Sequence, residues 1–108
     1  MGRRDELIGK YADDLRKLGI EPDMALLENA TAACGPAIYR EDASTVASSD
    51  PEEMARVREN FCKKKLGATD EAKSDAALAK AVETYGSANR NKHRAVMYYL
   101  LARELGGL

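Results

Sequence analysis

Apolar residues recur at helical spacing in five stretches of the chain. In the first, Leu7, Ile8, Tyr11, Leu15 and Leu18 form one stripe, which predicts a helix from about Arg4 to Leu18 with Gly19 as its stop. Asp5 and Glu6 fall in its first turn and Arg16 and Lys17 in its last, matching the macrodipole. A second helix begins near Pro22, a residue suited to a first helical position, and ends at Gly35-Pro36. Its face consists of Met24, Leu27, Ala30, Ala33 and Cys34, broadened by Leu26.

Periodicity lapses between Pro36 and Ser49. Ile38 and Val46 are expected to anchor this connector on the core, Ile38 and Tyr39 being able to fold back onto it, with one short turn at Asp42 to Val46. The third helix has the clearest start: Asp50 as cap, Pro51 at the first position and Glu53 where a capping-box acid belongs. It runs through Met54, Val57, Phe61 and Cys62 to Leu66, and Gly67 ends it. The fourth starts between Asp70 and Asp75, with Thr69, Asp70 and Ser74 all plausible caps, carries Leu78, Ala81, Val82 and Tyr85, and stops at Gly86. A fifth, capped by Ser87 or Asn89, continues to Leu105 and holds the octet Ala95 to Ala102. An octet apolar all round belongs inside a bundle. The expectation is therefore an all-α fold: one domain over residues 1–108, of about five helices, with the C-terminal helix central.

Composition agrees. Alanine and leucine dominate and tryptophan is absent, a helix-forming rather than sheet-forming mixture. The longest apolar run is far short of the roughly 20 residues that cross a bilayer, and the N-terminus has no secretory pattern, so no membrane is expected and the location reads as cytoplasmic. Cys34 and Cys62 lie far apart with no C-x-x-C, which reads as buried reduced thiols. With a single histidine there is no cluster for a metal, and no cofactor is called for.

The formal net charge is −1, but residues 1–86 carry 13 basic against 17 acidic side chains and residues 87–108 carry four against one. The excess gathers around the expected start of the fifth helix, where free N–H groups favour an anion. The candidate anion-binding residues are Ser87, Asn89, Arg90, Lys92, His93 and Arg94. Cations at a helix N-terminus oppose the macrodipole, at about 0.3–1 kcal/mol each when exposed, so stability alone would place acids there. Internal pairing with acids such as Asp13, Asp14 or Glu83 is the competing account.

Catalysis finds no footing. There is no phosphate loop, dinucleotide fingerprint or nucleophile elbow. His93 lies among cations, which would hold it neutral, and has no evident nucleophile beside it. Lys63-Lys64-Lys65 would favour a Cys62 thiolate, yet a helix C-terminus disfavours one. The pairs Asp13-Asp14 and Glu52-Glu53 fall on solvent-facing or capping positions. No catalytic residue is nominated, and the chain is expected not to be an enzyme. A helix-turn-helix reading of residues 75–103 is weakened by the apolar octet and the near-neutral charge, which argue against nucleic acid.

Several blocks together, Arg4-Asp5-Glu6-Leu7 with Tyr11, Gly35-Pro36-Ala37-Ile38-Tyr39, Asp42 to Ala47, Ser49-Asp50-Pro51, Lys64-Lys65-Leu66-Gly67 and Tyr85 to Lys92 running on to Leu101, resemble a small bacterial family, domain of unknown function 2853. The resemblance implies a bacterial cytoplasmic domain that occurs alone as a whole protein, and it supplies no activity and no site residue. Met97, Tyr98 and Tyr99 are adjacent on one helix, more than a small core readily buries, and this predicts a protein-interaction or self-association module whose partner is another protein or a second copy. The alternative is an adaptor for a phosphate-bearing ligand or nucleic acid using residues 87–94.

Overall fold

The computed structural model describes residues 2–40, 43–86 and 92–107. Helix α1 spans Arg3–Lys17, α2 Met24–Cys34, α3 Pro51–Val57, α4 Glu71–Tyr85 and α5 Arg94–Leu105, with a 3-10 turn over Gly35–Tyr39 and a π-helical continuation of α3 over Arg58–Lys63. No described residue belongs to a β-strand, and no helix among them is long and apolar enough to cross a membrane.

Helix α5 is the centre of the bundle. Every residue from Ala95 to Ala102 is buried, and the helix packs chiefly on α2 and α4 while also meeting α1 and the π-helical turn. Its aromatic residues enter the core tip and all. The Tyr99 hydroxyl accepts the Asp23 N–H at 2.9 Å, and Tyr98 stacks on Phe61 with ring centroids 3.8 Å apart. Met97, Tyr98 and Tyr99 are thus all buried, which overturns the expectation that one core would leave part of this trio for a partner. The hydroxyls are satisfied at the core's edge, so the rings can be fully used inside it.

The helix ends show which local signals governed. Helix α1 closes with Gly19 at φ 81°, Gly19 N–H bonding to Arg16 C=O and Ile20 N–H to Leu15 C=O, both at 3.0 Å. This paired arrangement satisfies two orphan carbonyls and requires the left-handed backbone that glycine adopts freely. Asp23 caps α2 through Leu26 N–H, so that helix starts after Pro22 rather than at it. Asp50 accepts from Glu52 N–H at 2.9 Å with Pro51 in first position, as expected. Asp70 accepts from Lys73 N–H at 3.2 Å and fixes the start of α4. Glu53 makes no capping box; its carboxylate pairs with Arg94 instead.

Beyond Val57 the third helix widens. Leu66 N–H bonds to Phe61 C=O at 2.9 Å, a five-residue span. The neighbours Phe61 and Cys62 in this wider turn are both buried.

The fifth helix starts at Arg94, later than the cap positions Ser87 and Asn89, which lie outside the described residues. The reason is tertiary. His93 is extended and forms an antiparallel bridge with Thr45, in which Val46 N–H donates to Lys92 C=O and Arg94 N–H to Ser44 C=O, each at 2.8 Å. Backbone groups spent sideways on residues 44–46 are not available for a helical turn. This pairing holds the connector on the core, with Val46 and Ile38 buried and Tyr39 largely exposed.

Candidate functional site

Of the six candidate anion-binding residues, Ser87, Asn89 and Arg90 lie outside the described residues, and the other three turn toward the protein. Lys92 is buried, and burial pulls its ammonium below the ordinary lysine value. The Arg94 guanidinium donates to Glu53 Oε1 at 2.7 Å and to Ala43 C=O at 2.8 Å, and it approaches the Tyr98 hydroxyl. Burial opposes its charge, but Tyr98 and Glu53 more than offset this and hold it above the usual arginine value. The first N–H of α5 is also engaged, by Ser44 C=O.

His93 belongs to a polar junction between α1, α4 and α5. Tyr85 donates its hydroxyl proton to Asp14 Oδ2 and accepts the His93 N–H at 3.0 Å. His93 Nε2 lies 3.8 Å from the same Asp14 oxygen, and its ring tilts against Tyr11 at 5.3 Å. Asp14 was expected to face solvent; its side chain is only 23% exposed and serves as the shared acceptor of this junction. The imidazole is held below its ordinary value, as expected, but mainly by burial. Asp14 acts in the opposite sense and Lys10 adds to the lowering.

A folded-state value below the unfolded one means that the stabilising contribution is complete above about pH 6.5, the ordinary histidine value, and is lost as pH falls from there through the lower folded-state value. His93 is the only histidine, so the window is clean. Denaturant melts from pH 7.5 to 5.5 should show the native protein losing stability, and His93→Gln should flatten that slope. An equal slope in the variant would remove His93 as its source.

The thiols are quiet. Both cysteines are free, and burial pushes Cys34 up to about 12 and Cys62 up to about 11. Neither is a ready thiolate at neutral pH, so the lysines that follow Cys62 do not activate it.

A different surface is concave. Between α4 and the start of α3 lies a groove of about 490 Å³ lined by Ser48, Met54, Asp75, Leu78, Ala79, Val82 and Glu83. Its α4 wall has a simple origin in the sequence. Residues 75, 78, 79, 82 and 83 stand at i, i+3, i+4, i+7 and i+8, a single face of a helix, set beside the buried stripe of Ser74, Ala77, Leu78, Ala81 and Tyr85. Leu78 serves both faces. Met54 and Val82, read from sequence as core, are only half-buried and supply the apolar walls. Periodicity identified them as apolar but could not show that they are only half-buried. The signal available was the second apolar row Ala79-Val82 flanked by Asp75 and Glu83.

No curated protein matches the chain. The model of one family, described as a protein of unknown function (DUF2853), matches residues 10–108, nearly the whole chain, so that the chain belongs to this family.

Proposed function

We propose that the domain is a non-enzymatic protein-interaction module of the bacterial cytoplasm, and that it holds a segment of another polypeptide in the groove between α3 and α4. The observation that carries this reading is the apolar row of buried Leu78, half-buried Val82 and exposed Ala79 beside half-buried Met54. A helix wall with its side chains in i, i+3, i+4 and i+7 rows is the surface onto which another helix packs, and methionine adapts its shape to varied partners. The reading replaces an interaction through Met97, Tyr98 and Tyr99, which the core consumes.

A photo-reactive residue placed at the exposed Ala79 tests it. Cross-linking in cells should give a discrete polypeptide adduct, lost in a Val82→Asn background and missing when the same group replaces the exposed Ala76 on another face of α4. Equal labelling from both positions, or an adduct indifferent to Val82→Asn, would overturn the reading. An adduct of twice the chain mass would identify a second copy as the partner.

A further inference from the structure

We infer that the segment received by the groove is an amphipathic helix bearing lysine or arginine two turns apart, an inference that rests on the docking role proposed above. The argument is one of charge placement along α4. Among the described residues that line the groove there are two acids, Asp75 and Glu83, and no base. The clefts on the other side of α4 are lined instead by Lys73, Lys80 and Arg103 together with Glu104. Among the described lining residues, the side of α4 toward α3 thus carries acids beside its apolar row, and the opposite side carries an excess of bases.

The two carboxylates are eight residues apart, roughly 12 Å along the axis at 1.5 Å per residue. Leu78, Ala79 and Val82 lie between them. A partner helix whose basic side chains are seven or eight residues apart, with apolar residues three and four positions inside, meets both features in one register. Glu83 is exposed. Asp75 pairs with Arg58 through Oδ1 at 3.1 Å but keeps its side chain 56% exposed, so its carboxylate has room for a second cation. The apolar row provides the burial, and the acids select the sign of charge and the register.

The test uses three synthetic 18-residue peptides and the full chain, with affinity from calorimetry and contacts from amide and methyl chemical shifts. One peptide has leucines on a single helical face flanked by lysines, the second replaces those lysines with glutamates, and the third keeps the lysines but replaces the leucines with serines. The first should bind with shifts at Met54, Leu78 and Val82, and the others should bind far more weakly. Glu83→Lys should weaken the first peptide about fivefold to tenfold, the scale of reversing one exposed pair, while circular dichroism shows the fold retained.

Preference for the acidic peptide, with the same groove shifts, would overturn the cationic partner and leave the docking role standing. Equal binding of the serine peptide would reduce the contact to charge alone and overturn the inference. Groove shifts that appear only as the chain dimerises at rising concentration would make a second copy the occupant and overturn it as well. No groove shifts with either leucine peptide would overturn both readings together.

Discussion

Phe61→Ala is expected to lower the unfolding free energy by about 3–5 kcal/mol, the range for truncating a buried aromatic ring. Phe61 is buried in the π-helical turn, and its ring lies nearly parallel to Tyr98, with 11° between the planes. Losing the stack accounts for only about 0.5–1.5 kcal/mol. The larger part is the void left between the turn and α5, because Tyr98 is fixed by its own helix and cannot follow. Phe61→Leu, which refills most of the volume, should cost less than half as much. Urea melts followed by far-ultraviolet circular dichroism measure both, and near-ultraviolet dichroism reports the tyrosine environment directly. A cost below about 1 kcal/mol for the alanine variant would mean that the turn relaxes to ordinary α-helix and closes the void.

That turn also marks a boundary of what the sequence discloses. The apolar period placed Phe61 and Cys62 inside, but it held no sign of the π-helical backbone that carries them. The Asp50 cap was legible because it acts on a residue two positions ahead, whereas Asp70 was one of three candidates until its bond to Lys73 N–H singled it out. Local signals were illegible where a distant partner decides. Glu53 has the spacing of a capping box, but Arg94, 41 residues away, takes its carboxylate. Asp14 looks like a surface acid until Tyr85, 71 residues away, donates to it. The start of α5 belongs to the same class, since pairing with residues 44–46 holds His93 extended just before it. The centrality of α5 needed no such information, because eight consecutive apolar residues have no polar face to turn outward. The groove was hidden for the opposite reason: a half-buried valine and a buried one read alike.

Arg94→Met should destabilise the fold by about 2–4 kcal/mol, near the range for removing one partner of a buried ion pair. Methionine replaces most of the aliphatic stem, so little of the loss is packing. What remains is polar. Among the described residues, Glu53, whose side chain is 17% exposed, would keep the more solvated Arg56 at 3.4 Å, and Ala43 C=O would lose its guanidinium donor. Glu53→Gln should cost less, because Arg94 retains Ala43 and Tyr98 as acceptors. A double-mutant cycle between the two, measured by urea melts, should give a coupling of about 1–3 kcal/mol. An Arg94 held outward for a ligand predicts the contrary result, a variant within about 0.5 kcal/mol of the native protein, as for ordinary surface changes. The difference matters for any anion site at residues 87–94. A triple alanine variant of Arg90, Lys92 and Arg94 would remove an internal strut together with the charge, so lost binding would not separate recognition from unfolding. Arg90→Ala alone, with stability measured alongside affinity for inorganic phosphate, separates them.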